Sequence, residues 1–143
     1  MMQHRSSSEP APHRIGTLAR ASGISVESIR RYERDGLIPA ARRGANGYRY
    51  FPPESLDALR LIRHCRHLGF SLERIRELLR LMHQEGAACG DIDRLVSRQR
   101  QEIEQRIADL QALSDALGAL DGACPGGGSV EECRTLRSLF NQP

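Results

Sequence analysis

From Cys89 to Cys124 the chain reads CGDIDRLVSRQRQEIEQRIADLQALSDALGALDGAC, with no proline and, after Gly90, no glycine before Gly118. Ile92, Leu95 and Val96 open an apolar pattern there. Ile103, Ile107, Leu110, Leu113, Leu117 and Leu120 continue it at steps of three and four, the period of one helix face. The reading is one helix of about 30 residues, roughly 45 Å long at 1.5 Å per residue. A narrow apolar seam on a long, otherwise charged helix cannot be covered within one small chain. It is expected to pack against a second copy as a coiled coil.

Composition agrees with a need for a partner. Of 143 residues 39% are hydrophobic, none is Trp and only 4% are aromatic, so the core is lean and aliphatic, and a second subunit helps to bury enough surface. No apolar run approaches the ~18 residues that span a bilayer, so no membrane partner is expected. The leader, residues 1–13, has no apolar stretch resembling a secretion signal and reads as a disordered tail. The expected setting is cytoplasmic, where thiols stay reduced.

Charge divides the chain. Residues 14–84 carry 14 Arg against 7 acidic residues, while residues 85–143 carry 6 Arg against 10. There is no Lys, so every fixed positive charge is a guanidinium, suited to bidentate phosphate contact. The basic half looks like a polyanion binder.

Its organisation sharpens that reading. Ile15, Leu18 and Ala19 mark a short helix. After ASGIS a second follows, with Ser25 as N-cap, Val26, Ile29 and Tyr32 on one stripe, and Gly36 as the stop. Two such helices form a helix-turn-helix, whose second member enters the major groove, and here it carries Arg30, Arg31 and Arg34. Asn46-Gly47 then predicts a two-residue hairpin with a type I′ turn, positive in φ at both positions. Arg42, Arg43 and Arg49 flank it with Tyr48 and Tyr50, as in a wing that grips phosphates. A helix from about Pro53 to Leu68 follows, then one capped by Ser71. Cys65 falls on the core stripe of the first and reads as a small buried hydrophobe.

The cysteines pose a geometric problem. Cys89 and Cys124 are separated by the long helix, while thiolates sharing one ion sit a few ångströms apart. One chain cannot bring them together. If two copies pair antiparallel, Cys89 of one approaches Cys124 and Cys133 of the other, giving an inter-subunit three-thiolate site. Gly126, Gly127 and Gly128 let the loop curl around an ion. Ser129 and Glu132 form a capping box that starts a short helix, with Cys133 in its first turn.

This order of elements resembles the MerR family of transcription regulators, and SIRRYERDGL and RRGANGYRYF match its DNA-binding signatures. The resemblance runs from Arg14 to about Leu139. It implies a mainly α fold in four parts: the 1–13 leader, a winged helix-turn-helix domain at 14–84, an antiparallel coiled-coil dimerisation helix at 85–121, and a metal-binding loop with a short helix at 122–143. It implies a homodimer on double-stranded promoter DNA that activates transcription by RNA polymerase when metal untwists the promoter. Carried over by position, Arg30 and Tyr32 contact DNA, with Arg43, Tyr48 and Arg49 from the wing and Arg66 as a phosphate contact. One departure is Arg31, which stands where the family usually has an aromatic residue.

The placement of Cys89, Cys124 and Cys133 resembles the branch that senses soft metal ions. The copper branch usually has Ser at the position of Cys89, and the zinc branch adds a neighbouring cysteine and a histidine. Three thiolates favour a soft divalent ion, Hg2+, Pb2+ or Cd2+, with Zn2+ behind them. His83 could supply a fourth ligand and reads first as a solvated residue at a helix end. A thiol redox sensor and a copper sensor are the alternatives. An enzyme is not expected, since no nucleophile–base pair is present.

Overall fold

The computed structural model describes residues 11–122, 124 and 126–141. Helix α1 (Ile15–Ser22) stops where Gly23 turns left-handed, φ 72°, and its N–H bonds the Ala19 carbonyl. Helix α2 (Val26–Arg34) starts on Ser25, whose hydroxyl accepts the Ser28 N–H, satisfying one of the donors a helix start leaves open. It closes at Asp35, and Gly36 follows with φ 74°. Leu18 and Ile29 are fully buried between these helices and the rest of the core.

Strands β1 (Arg42–Arg43) and β2 (Arg49–Tyr50) pair antiparallel, Arg42 opposite Tyr50 and Arg43 opposite Arg49. The turn between them differs from the expected type I′. Gly47 has φ 83°, and no described non-glycine residue has positive φ. The Gly47 N–H reaches the Gly44 carbonyl at 3.0 Å, and the Gly44 N–H reaches Tyr48 O at 2.7 Å. This is a three-residue loop ending in a left-handed glycine bulge. Asn46 contributes through its side chain, accepting the Tyr48 N–H and donating to the Tyr50 hydroxyl. Of the leader, residues 1–10 lie outside the described residues. Its last residue is not loose: His13 and Phe51 exchange backbone hydrogen bonds at 2.9 and 2.7 Å.

Helix α3 (Glu54–His67) begins after Pro53, and α4 (Leu72–His83) is capped by Ser71 accepting the Arg74 N–H. Leu59, Ile62, Cys65, Ile75 and Leu78 face the core, which Phe51 and Phe70 complete. Helix α5 (Cys89–Leu120) has 32 residues, about 48 Å at the α-helical rise. It begins at Cys89 itself, and the Asp91 carboxylate takes the Ala88 N–H at 3.0 Å.

The chain divides into two compact units between Leu95 and Val96, inside α5. In the first, Leu95 joins the buried core and Ile92 packs against it. In the second, α5 keeps its seam uncovered: Ile107, Leu110, Leu113 and Leu117 are 61%, 65%, 62% and 63% exposed. Its polar faces carry i,i+4 pairs such as Arg100–Glu104 and Gln111–Asp115. The ending of the chain departs from expectation. Ser129 makes no side-chain cap, a single 3-10 turn covers Val130–Glu132, and α6 (Arg134–Phe140) begins only after Cys133. Cys133 is the cap, its Sγ accepting the Leu136 N–H at 3.4 Å. Among the described residues no helix is long and apolar enough to cross a membrane.

Candidate nucleic-acid interface and thiol site

Six of the arginines of the first unit lie on α2 and the wing. Arg30, Arg31 and Arg34 are exposed on α2, as are Arg42, Arg43 and Arg49 on the wing strands. Exposed guanidiniums on a helix and an adjoining ribbon suit a duplex, where the helix reads base edges and the ribbon holds phosphates.

Tyr32 is placed differently from the expectation that it contacts DNA. It is only 6% exposed, because it falls on the same helix stripe as Ile29 and its ring completes the core. Arg31, in the position of the missing aromatic, lies with its guanidinium carbon 5.6 Å from the Tyr32 ring centroid. It thus covers the ring from outside. Tyr48 is exposed at the wing loop, and Arg14 lies over its ring at 4.1 Å, a cation–π distance. Arg66 is exposed but spends one donor on the Phe70 carbonyl at 3.1 Å, bracing the turn between α3 and α4.

Three contributors escaped the sequence reading: His13, Arg14 and Glu33. The Glu33 carboxylate meets Arg49 Nη2 at 2.7 Å. The signal available was an acid flanked by the arginines at the end of α2, which by itself names no partner.

The thiols fall into two kinds. Cys65 is 5% exposed in the core, and burial pushes its thiol above the ordinary value. A group that resists ionisation is a poor metal ligand. Cys89 and Cys124 are exposed and Cys133 is half-buried. Cys124 and Cys133 line one cavity of about 600 Å³ with Gly126, Gly127 and Gly128. Gly126 and Gly128 have φ 86° and 106°, so the tight curl there depends on glycine. The donor types suit a soft cation, since two thiol residues line one cavity and the Cys133 sulfur accepts a backbone N–H. Among the described residues no three of His, Cys, Asp and Glu come together. His83, at the end of α4, is exposed.

A helix-turn-helix with an arginine-rich second helix, a basic wing and a long helix with a bare apolar seam define a winged-helix DNA-binding regulator. Residues 13–82 match the MerR HTH family regulatory protein model, and residues 56–120 match that of the MerR DNA-binding region. The chain belongs to the MerR family of helix-turn-helix regulators. It is 34% identical over 129 residues to a mercuric resistance operon regulatory protein of Bacillus cereus, covering 90% of this chain and 98% of the relative. It is 39% identical over 129 residues to the regulator ZntR of Escherichia coli, covering 89% and 92%. Among solved structures it resembles the regulator PbrR691 from Ralstonia metallidurans in complex with lead(II). That match has a TM-score of 0.79 and 31% identity, covering 89% of this chain and 98% of the other. These relatives are regulators, and the chain is a regulator rather than an enzyme.

Proposed function

We propose that the protein is a homodimeric promoter switch operated by a soft divalent ion, Hg2+, Pb2+ or Cd2+. Arg30 reads the groove. Arg43, Tyr48, Arg49 and Arg66 hold the backbone of double-stranded promoter DNA. Cys89 of one subunit with Cys124 and Cys133 of the other binds the ion. The observation that carries this reading is the bare seam of α5, with one candidate thiol opening the helix and the other two beyond its end. An antiparallel partner covers the seam and supplies the missing sulfur by the same act.

Cys89 of one subunit and Cys124 and Cys133 of the other would hold the cation across the interface, and its positive charge would offset that of the three thiolates. The Leu136 N–H fixes the position of the Cys133 sulfur, and the glycines let the loop close. Cys89 lies in the first turn of α5, six residues before the buried Leu95. A pull on this thiol is therefore delivered to the base of the DNA-binding unit. The outcome is a changed spacing of the two recognition helices on the promoter, which RNA polymerase reads. The similarity to regulators named for mercury resistance and solved with lead(II) supports the soft-metal assignment.

Because Cys124 and Cys133 share a cavity, a two-thiolate reading, monovalent copper or a reversible disulfide, also has support. Subunit complementation separates the two. A Cys89→Ser chain mixed with a Cys124→Ser/Cys133→Ser chain under exchange regains one complete three-thiolate site per heterodimer. Its sulfur-to-metal charge-transfer absorbance returns with about half the wild-type amplitude per heterodimer, or about a quarter for an equimolar mixture at random exchange. No recovery with exchange confirmed sinks the inter-subunit site. Wild-type metal affinity in Cys89→Ser alone favours the two-thiolate reading.

A further inference from the structure

The wing has little to hold it. Its strands are two residues each, and a ribbon that short is marginal without outside support. Arg43 and Arg49 are also directly opposite one another, and like charges in that arrangement repel. Two contacts brace the wing against the segment before α1, the His13–Phe51 bridge and Arg14 over Tyr48. A third reaches the recognition helix: Glu33 on α2 binds Arg49 on β2, 16 residues apart, at 2.7 Å. The Glu33 side chain is 16% exposed and that of Arg49 57%. The carboxylate is thus tucked inward while the guanidinium keeps its outer face free.

A carboxylate on the arginine-rich helix of a DNA-binding protein repels phosphate, so its presence calls for a use. We propose that Glu33 is a positioning residue for DNA recognition. It holds the Arg49 guanidinium and thereby fixes the wing at one distance from α2, so that helix and wing engage groove and backbone together. Glu33 itself touches no DNA. A guanidinium has five donors in a rigid fork, and with Nη2 bonded to Glu33 the side chain, 57% exposed, keeps further donors open to a phosphate. The same pairing sets a carboxylate against one of the two like charges across the ribbon and so offsets their repulsion. This rests on the reading above that Arg49 contacts the backbone.

The test uses full-length protein and two duplexes of equal length. One is the sequence that wild-type protein selects from a randomised pool, and the other is its scramble. Glu33→Gln is expected to lower affinity for the selected duplex about ten-fold, the size of a contact-level coupling. Binding to the scramble should stay within about two-fold, and the salt slope should not change. Arg49→Ala should weaken both duplexes and reduce the salt slope by about one. Glu33→Gln should add nothing once Arg49 is Ala. Wild-type or tighter binding of the selected duplex by Glu33→Gln would overturn the proposal, making Glu33 a competitor of phosphate. Additive losses in the double variant would overturn it too. If Glu33→Gln proves too unstable to assay, Glu33→Asp, which keeps the charge but shortens the reach, is measured in its place against the same criteria. Wild-type binding by Arg49→Ala is a separate failure, of Arg49 as a DNA contact, and takes the proposal with it.

Discussion

Arg63 on α3 donates from Nη1 to the Ser22 carbonyl at 3.2 Å, closing the end of α1 from a position 41 residues away. Gly23, next in the chain, is left-handed, and a Cβ built on it would lie 2.5 Å from that same nitrogen. At the turn of the helix-turn-helix the Arg63 guanidinium thus occupies the space that a side chain at residue 23 would need. Gly23→Ala should cost about 1–2 kcal/mol for the left-handed backbone, plus whatever is needed to displace Arg63. In an Arg63→Ala background the second component vanishes, so the glycine substitution should be less harmful there. Thermal unfolding of the two single variants and the double variant measures this, and strictly additive losses would show that the residues do not interact.

Leu113→Glu should separate the subunits while leaving the helix intact. Each buried leucine contributes about 1.5–3 kcal/mol, and a two-fold interface loses it twice. Dimer dissociation should therefore strengthen at least about a hundred-fold in analytical ultracentrifugation, with little change in far-UV helicity. A variant that stays dimeric at wild-type concentrations would place the interface elsewhere.

Arg30→Ala should weaken binding to a selected duplex by about 1–3 kcal/mol and relax preference at the base pair it reads. Folding should be undisturbed, since the side chain is exposed. A uniform loss on all sequences, with a smaller salt slope, would move Arg30 from base reading to phosphate contact.

Legibility in the sequence depended on the range of the interaction. The caps at Ser25 and Ser71 were readable because a hydroxyl and the N–H three residues on are neighbours in any helix start. The apolar stripes were readable for the same reason, and the stripe outweighed the family expectation at Tyr32. Asn46-Gly47 announced a hairpin but not its class, since asparagine can serve through its side chain as well as by left-handed backbone. Near Ser129 the pattern misplaced the helix start, because a thiol at Cys133 makes an acceptable cap and wins. Glu33–Arg49 and Arg63–Ser22 were invisible, since no spacing rule links residues 16 or 41 apart. The seam of α5 announced a partner helix, but the direction of that partner is not written in the period of one helix.

Cys65 gives the chain a pH signature. Burial raises its thiol, while in the unfolded chain it ionises near the ordinary value of about 8.5. The unfolded state therefore loses its proton first. Stability is intact below that range and is lost as pH rises through it. Wild-type protein should lose more stability than Cys65→Val between about pH 8 and 10 in urea melts, and parallel curves would refute this. Iodoacetamide should correspondingly spare Cys65 in the reduced native protein and modify it only after unfolding.

The stripe from Ile107 to Leu117 also bears on how long each copy survives. A chain leaving the ribosome displays these leucines to every chaperone and protease it meets, until a sister chain arrives. In the homodimer proposed above, if unpaired copies are cleared faster than they meet, the protein accumulates only above a threshold rate of production. On that proposal the helix that joins two copies also sets the lifetime of an unpaired one.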